Sequence, residues 1–306
     1  MKRKLFTSGC SYTGFPWPTW ADWAGVLYDE YENLGVGGAG NRYIFNSISY
    51  LLANDMITKN DTVIVQWSGL TREDRILTGD HGWTVTGNIH YQNIYDERFV
   101  NKYFNVLQLS SELISYVTVL DLAFKQIGCE YHFLNMFDYH IENFFGEPAC
   151  PLSIEQQEEA FEHLYHKHKH KQLSEKHYIK PCIEEFRWDH QEPKQVMKYN
   201  PDYPLGPDDH PSSLAHYKYA VEVLSPHLKN VAFPIEKLQE KQYQELATAW
   251  RDFYIDAERV GKAEMDGGRA ETGLDWPARP WHQTIDIVDY SVNEEVAKQK
   301  VKRRFI

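Results

Sequence analysis

The chain has 306 residues, enough for one large domain with insertions or for a core of roughly two hundred residues with appendages. Its 42% hydrophobic and 14% aromatic content supplies a sizeable core and excludes general disorder. A formal net charge of −12 excludes a surface built to neutralise nucleic-acid phosphates or to lie on anionic lipid.

Met1-Lys2-Arg3-Lys4 is basic, but only Leu5 and Phe6 follow before polar Thr7 and Ser8, so no secretion signal is expected and the expected location is the cytoplasm. No run of about eighteen apolar residues occurs, so no membrane-spanning helix is expected. Leu5 to Ser8 reads as a strand running into the small-residue turn Gly9-Cys10-Ser11. Trp20 to Glu30 carries Trp20, Trp23, Ala24, Leu27 and Tyr28 at helical spacing. Asn33 to Gly40 reads as a short strand breaking into a glycine turn, and Asn41 opens a helix through Leu52. Thr62-Val63-Ile64-Val65-Gln66-Trp67 is a β-branched run of the kind that is covered on both faces. A helix from about Asn105 to Gln126 and a strand from Cys129 to Met136 follow. Strands alternating with helices imply a three-layer α/β/α fold around a mostly parallel sheet with right-handed crossovers.

From about residue 137 to 205 the sequence turns polar, His-rich and charged, with Glu155 to Lys171 helical, and reads as an insertion at the sheet's edge. Asp208 to Leu224 returns to a compact pattern, a turn and then a helix with Tyr217, Ala220, Val221 and Leu224 on one face. The expected α/β domain is therefore 1–226, with a C-terminal extension or assembly arm over 227–306. That arm holds a helix near Lys237 to Ala257, a loop from Gly261 to Arg279 and a basic end from Lys298 to Arg304, read as solvated. Cys10, Cys129, Cys150 and Cys182 lack zinc-ribbon spacing and form no disulfide framework, so free buried thiols are expected.

Two short stretches carry chemistry. A strand end followed by a glycine turn holds a hydroxyl at the carboxyl edge of the sheet, where open α/β folds put their ligands; Ser8 and Ser11 are the hydroxyls offered there. Pro207-Asp208-Asp209-His210-Pro211 brings an acid and a histidine together late in the same core. Nucleophilic catalysis needs that set, because the imidazole takes the serine proton while a carboxylate fixes its tautomer. Alone, each stretch also reads as an ordinary turn with a capping residue.

Together these stretches resemble the SGNH hydrolases, the GDSL-like esterases and lipases. Gly9-Cys10-Ser11 resembles the first block of that family, with Cys10 where the family has Asp, and the resemblance makes Ser11 the nucleophile. Asn33-Leu34-Gly35-Val36-Gly37-Gly38 resembles the second block, so Gly38 N–H would join Ser11 N–H in holding an oxyanion. His210 with Asp208 resembles the last block, though spaced Asp-x-His rather than Asp-x-x-His. The third block departs: Gln66-Trp67-Ser68-Gly69-Leu70-Thr71-Arg72 holds no asparagine, and Ser68 or Asn41 stands as the substitute donor. Asn41 serves equally as a helix cap. The variant motifs also look like divergent SGNH-like proteins of phages of marine bacteria.

Other features read as structural. His163, His166, His168 and His170 alternate with lysines and favour a solvated surface over a metal site. The glycines of 33 to 38 are in the wrong order for a dinucleotide turn. Trp17, Trp20 and Trp23 are expected in the core, with Pro16-Trp17-Pro18 at the mouth of the site where an indole would stack on a sugar. Arg72 and Arg75 are expected to pair with local acids, with an anionic substrate as the lesser alternative. The resemblance implies a serine esterase, needing no metal or organic cofactor, that removes an acyl group from a carbohydrate or other polar ester. Acyl transfer to a polysaccharide hydroxyl would use the same residues. The alternative is an impaired SGNH-fold binding or structural protein, such as a virion component, with homo-oligomer or virion partners on the C-terminal arm.

Overall fold

The computed structural model describes residues 2–15, 18–76, 83–84, 89, 95, 97–136, 155, 178–179, 211 and 213–239. In chain order the elements are β1 (Lys4–Ser8), α1 (Trp20–Gly25), β2 (Glu30–Asn33), α2 (Asn41–Ala53), β3 (Thr62–Trp67), β4 (Arg75–Ile76), β5 (Trp83–Thr84), α3 (Glu97–Tyr103), α4 (Val106–Ile127), β6 (Glu130–Asn135) and α5 (Ser213–Tyr219). A π-helical turn (Ala220–Leu224) and two 3₁₀ turns (Ser225–His227, Ile235–Gln239) end the described chain.

Four strands form one parallel sheet in the order β2-β1-β3-β6, with Thr7 opposite Asn33, Ser8 opposite Val65 and Trp67 opposite Asn135. Period-two alternation divides their side chains between two cores. Phe6, Val63, Val65 and Phe133 meet α2 and α4 on one face, through Tyr43, Ile44, Ile48, Leu113, Val117 and Phe124. Leu5, Ile64 and Leu134 meet α1, α5 and the π turn after it on the other, through Trp20, Ala24, Tyr219 and Leu224. The result is a three-layer α/β/α fold. Trp20 and Trp67 are completely buried; sinking an apolar side chain of the Leu or Phe class contributes about 1.5–3 kcal/mol.

Three expectations need correction. The helix expected over Trp20 to Glu30 stops at Gly25, and the strand expected from Asn33 is Glu30–Asn33 instead. A close approach marks the break: a Cβ on Gly25 would stand 2.6 Å from Cγ of Tyr31, so the helix end lies flat on the incoming strand. The helix α3 and the small antiparallel pair β4/β5, with Arg75 opposite Thr84, had no counterpart in the pattern. The helix expected to run through Leu224 passes into a π turn at Ala220.

Most of 137–205 and of 227–306 lies outside the described residues, including Cys150, Cys182, the Glu155 to Lys171 helix beyond residue 155, and everything after 239. Of the expected insertion, Ile179 N–H donates to Phe133 C=O at 3.1 Å and Tyr178 pairs in parallel with Phe133, continuing the sheet past β6. Past Pro226 the chain stays on the body: Ala232 and Phe233 N–H donate to Leu27 C=O at 2.8 and 3.0 Å. Cys10 and Cys129 are free and buried, and burial pushes the Cys129 thiol up to about 12. Among the described residues no helix is long and apolar enough to cross a membrane.

Candidate active site

The strand order sets the place. The crossover after β1 runs over one face and the crossovers after β2 and β3 over the other, so a crevice opens between the carboxyl ends of β1 and β3. Gly9-Cys10-Ser11 leaves β1 there, and Ser68 leaves β3 there.

The chain after β1 makes a tight helical turn in which Cys10 C=O accepts from Thr13 and Gly14 N–H, both at 2.9 Å. Gly9 is required by contact, since a Cβ there would stand 2.0 Å from Thr13 Oγ1. Ser8 and Ser11 separate cleanly. Ser8 lies under α2 with its hydroxyl 2.7 Å from Ser47 Oγ, a packing role, whereas Ser11 sits on the turn, 4% exposed. Cys10 is wholly buried beside α1, with its thiol 3.5 Å from Met136 Sδ.

Neutral side chains fasten this turn to its neighbours. Thr13 Oγ1 donates to Gln66 Oε1 of β3 at 2.7 Å, and Thr13 C=O accepts from Asn33 Nδ2 at 2.7 Å and Thr19 Oγ1 at 2.6 Å. Asn33 Oδ1 in turn accepts from Thr7 Oγ1 at 3.1 Å and Gly35 N–H at 2.9 Å. Val36 N–H donates to Gly9 C=O at 3.0 Å, and Gly14 packs so closely on Gly35 that a Cβ at 14 would meet the Gly35 carbonyl oxygen at 1.9 Å. The serine turn and the glycine turn are thus one welded unit. Thr13, Asn33 and Gln66 were not singled out as site residues in the sequence; the available signal was a polar side chain, Gln66, inside an otherwise apolar strand.

Gly38 has φ 79°, a left-handed conformation that favours glycine, and Ala39 N–H closes the turn on Val36 C=O at 3.1 Å. Gly40 caps α2 without a side chain, and Asp74 supplies one: its Oδ1 accepts from Gly40 N–H and its Oδ2 from Tyr43 N–H, each at 2.9 Å. Burial raises the Asp74 carboxyl to about 6 against the pull of those two bonds and of Arg72. Asn41 clamps the start of the third-block loop, its Oδ1 accepting from Ser68 N–H at 2.8 Å and its Nδ2 donating to Ser68 C=O at 3.0 Å. Both candidates for the third oxyanion donor are therefore engaged with each other, the Asn41 amide with the Ser68 backbone.

Asp208, Asp209 and His210 lie outside the described residues, as do Trp17, His163, His166, His168 and His170. The helix that follows them, α5, is described: His216 is buried and its ring meets the Tyr12 ring edge-on at 6.3 Å. Trp20 and Trp23 belong to the core against α5, with Trp23 edge-on to Tyr217 at 5.7 Å. Arg75 pairs with Glu73 at 2.9 Å and lies over the Phe99 ring. Arg72, also expected to pair with an acid, donates instead to Ala39 C=O at 3.2 Å. Among the described residues no group of three or more His, Cys, Asp or Glu is placed to hold a metal ion.

The described residues bring the Ser11 turn, the glycine turn and the start of the loop after β3 together at the carboxyl end of the sheet, with Ser11 itself buried. No protein-family model matches the chain, and no curated protein matches it by sequence. Among solved structures the chain is similar to a member of the lipolytic protein G-D-S-L family from Veillonella parvula DSM 2008, at 12% identity and a TM-score of 0.38, over 74% of this chain and 100% of that one.

Proposed function

We propose that the protein is a serine ester hydrolase of SGNH type, removing an acyl group, acetyl foremost, from a carbohydrate or similar polar ester. Ser11 Oγ attacks the ester carbonyl as His210 takes its proton, and Asp208 holds the imidazole in the required tautomer. The oxyanion is received by Ser11 and Gly38 N–H, with Ser68 or Asn41 as third donor. His210 then protonates the leaving alcohol, and water, deprotonated by the same imidazole, hydrolyses the acyl-enzyme. No cofactor enters these steps.

The observation that carries this reading is the welding of the Ser11 turn to the glycine turn at the switch point, through Val36 N–H on Gly9 C=O and the Gly14 and Gly35 backbones. The contact of Tyr12 with His216 lends support, since it brings the helix that follows His210 in the chain beside the serine. Hydrolysis of p-nitrophenyl acetate is expected to fall to background in Ser11→Ala; undiminished hydrolysis in that variant would refute the assignment.

A second reading, an SGNH-fold binding protein without catalysis, is favoured by one observation: Ser68 N–H is held by Asn41. Removing one oxyanion donor lowers rates by about a hundred- to a thousandfold. Stoichiometric labelling of Ser11 by a fluorophosphonate excludes this reading, and absence of labelling supports it.

A further inference from the structure

Arg72 is the residue at the crevice whose bonding least matches its chemistry. A guanidinium is always charged and carries five N–H donors in a planar fork suited to a carboxylate. Here Nη1 donates to Ala39 C=O at 3.2 Å, Nη2 faces Met136 Sδ at 3.7 Å, and Nε is buried with no partner. A carbonyl and a thioether are weak company for a half-buried cation.

The acids around it are already bound. Glu73 takes Arg42 at 3.1 Å and Arg75 at 2.9 Å, and Glu112 takes Arg42 at 2.9 Å. Asp74, whose carboxyl the Arg72 charge pulls down, is held by the Gly40 and Tyr43 N–H groups. Among the described residues Arg72 has no carboxylate at salt-bridge distance, whereas Arg42, beside it in the same cleft, has two. Taking a cation partly out of water is unfavourable unless an anion meets it. The position of the guanidinium also matters. Ala39 follows Gly38, and Met136 Sδ also meets the Cys10 thiol, next to Ser11.

We propose that Arg72 is a specificity residue of this site, receiving a carboxylate carried by the substrate beside the ester that Ser11 attacks. The inference rests on the esterase reading for the substrate's chemistry, but anion binding can be measured without turnover. The carboxylate sits on the acyl side or on the alcohol side, and two ester pairs separate these: mono-4-nitrophenyl succinate against 4-nitrophenyl butyrate, and 4-acetoxybenzoate against 4-acetoxybenzamide. In one pair the ratio of kcat/KM for the charged ester to that for the neutral one is expected to drop by about tenfold or more in Arg72→Gln, chiefly through KM. Arg72→Lys, which keeps the charge and loses the fork, is expected to fall between, and it carries the test where Arg72→Gln does not fold. In parallel, calorimetric titration of Ser11→Ala with monomethyl succinate and with 4-acetoxybenzoate is expected to show binding that the Ser11→Ala/Arg72→Gln double variant lacks. Equal losses on charged and neutral esters would overturn the role of Arg72 and leave the esterase standing. Binding that depends on Arg72, with no ester turned over, would support the anion site and refute the esterase.

Discussion

The two edges of the sheet are fastened by different chemistry. At the carboxyl edge the serine turn is held by hydroxyls and amides, Thr13, Thr19, Asn33 and Gln66. Carboxylates there are withdrawn to helix caps: Asp22 accepts from Thr19 N–H at 2.7 Å in the capping box of α1, and Asp74 serves α2. At the amino edge carboxylates do the fastening. Asp61 accepts from Lys4 and Thr58 N–H at 3.2 and 2.7 Å, Asp29 from Arg3 N–H at 2.8 Å, and Glu130 from Lys229 and Asn230 N–H at 2.7 and 2.6 Å. Neutral fasteners keep their geometry across pH and add no net charge of their own at the crevice. Charged ones bind backbone N–H more strongly but only while ionised.

The largest expected effect tests the weld itself. Gly14→Ala drives a methyl into the Gly35 carbonyl oxygen and is expected to lose about 3 kcal/mol or more in denaturant unfolding, with the proposed ester hydrolysis abolished in whatever folds. A midpoint unchanged from wild type would mean that the two turns are not rigidly joined. Asn33→Ala comes next. It removes three buried hydrogen bonds, and a loss of about 2–3 kcal/mol is expected together with a fall in kcat.

The carboxylates sharpen the contrast through opposite pH trends. Burial opposes ionisation of Glu130, but His132 and the Lys229 and Asn230 N–H groups outweigh it and hold the carboxyl below its ordinary range. Its stabilisation is therefore complete above the ordinary range and lost as pH falls from there through the lowered folded value, so Glu130→Gln is expected to cost about 2 kcal/mol at pH 7 and progressively less as the pH falls. Asp74 runs the other way. Its folded pKa near 6 exceeds the ordinary 3.8, so the protonated form is favoured by folding. Wild-type stability from this group is full below about pH 4 and declines as pH rises through 6, a slope that Asp74→Asn should erase while lowering cap strength by about 1 kcal/mol. Unfolding free energies between pH 3 and 8 would show both trends, and parallel curves for Asp74→Asn and wild type would contradict the second.

How far the sequence betrayed these arrangements depended on whether a residue's neighbours were local. The run Thr62–Trp67 is apolar because helices cover both faces, and its strand was plain. Strand β2, Glu30-Tyr31-Glu32-Asn33, hid because it is a sheet edge dressed with ion pairs, Lys2 with Glu30 and Lys4 with Glu32. Its charged alternation reads as loop or as the tail of the preceding helix. The Ser11 turn and the Gly38 turn were legible because small residues in a row permit little else. Asn33 and Gln66 were not, since their partners, Thr7 and Thr13, come from another strand and turn, and single-chain periodicity carries no record of such pairings.

The π turn at Ala220–Leu224 sets the rotational phase of what precedes it. It accommodates one residue more than an α-helical turn, so it acts as a fixed offset between the 3₁₀ ending anchored near Leu228 and the helix carrying His216. Shortening it by one residue would swing α5 by about 100° about its axis. His216 would leave Tyr12. In this segment the count of residues, more than their identity, aligns the late part of the chain with the early part.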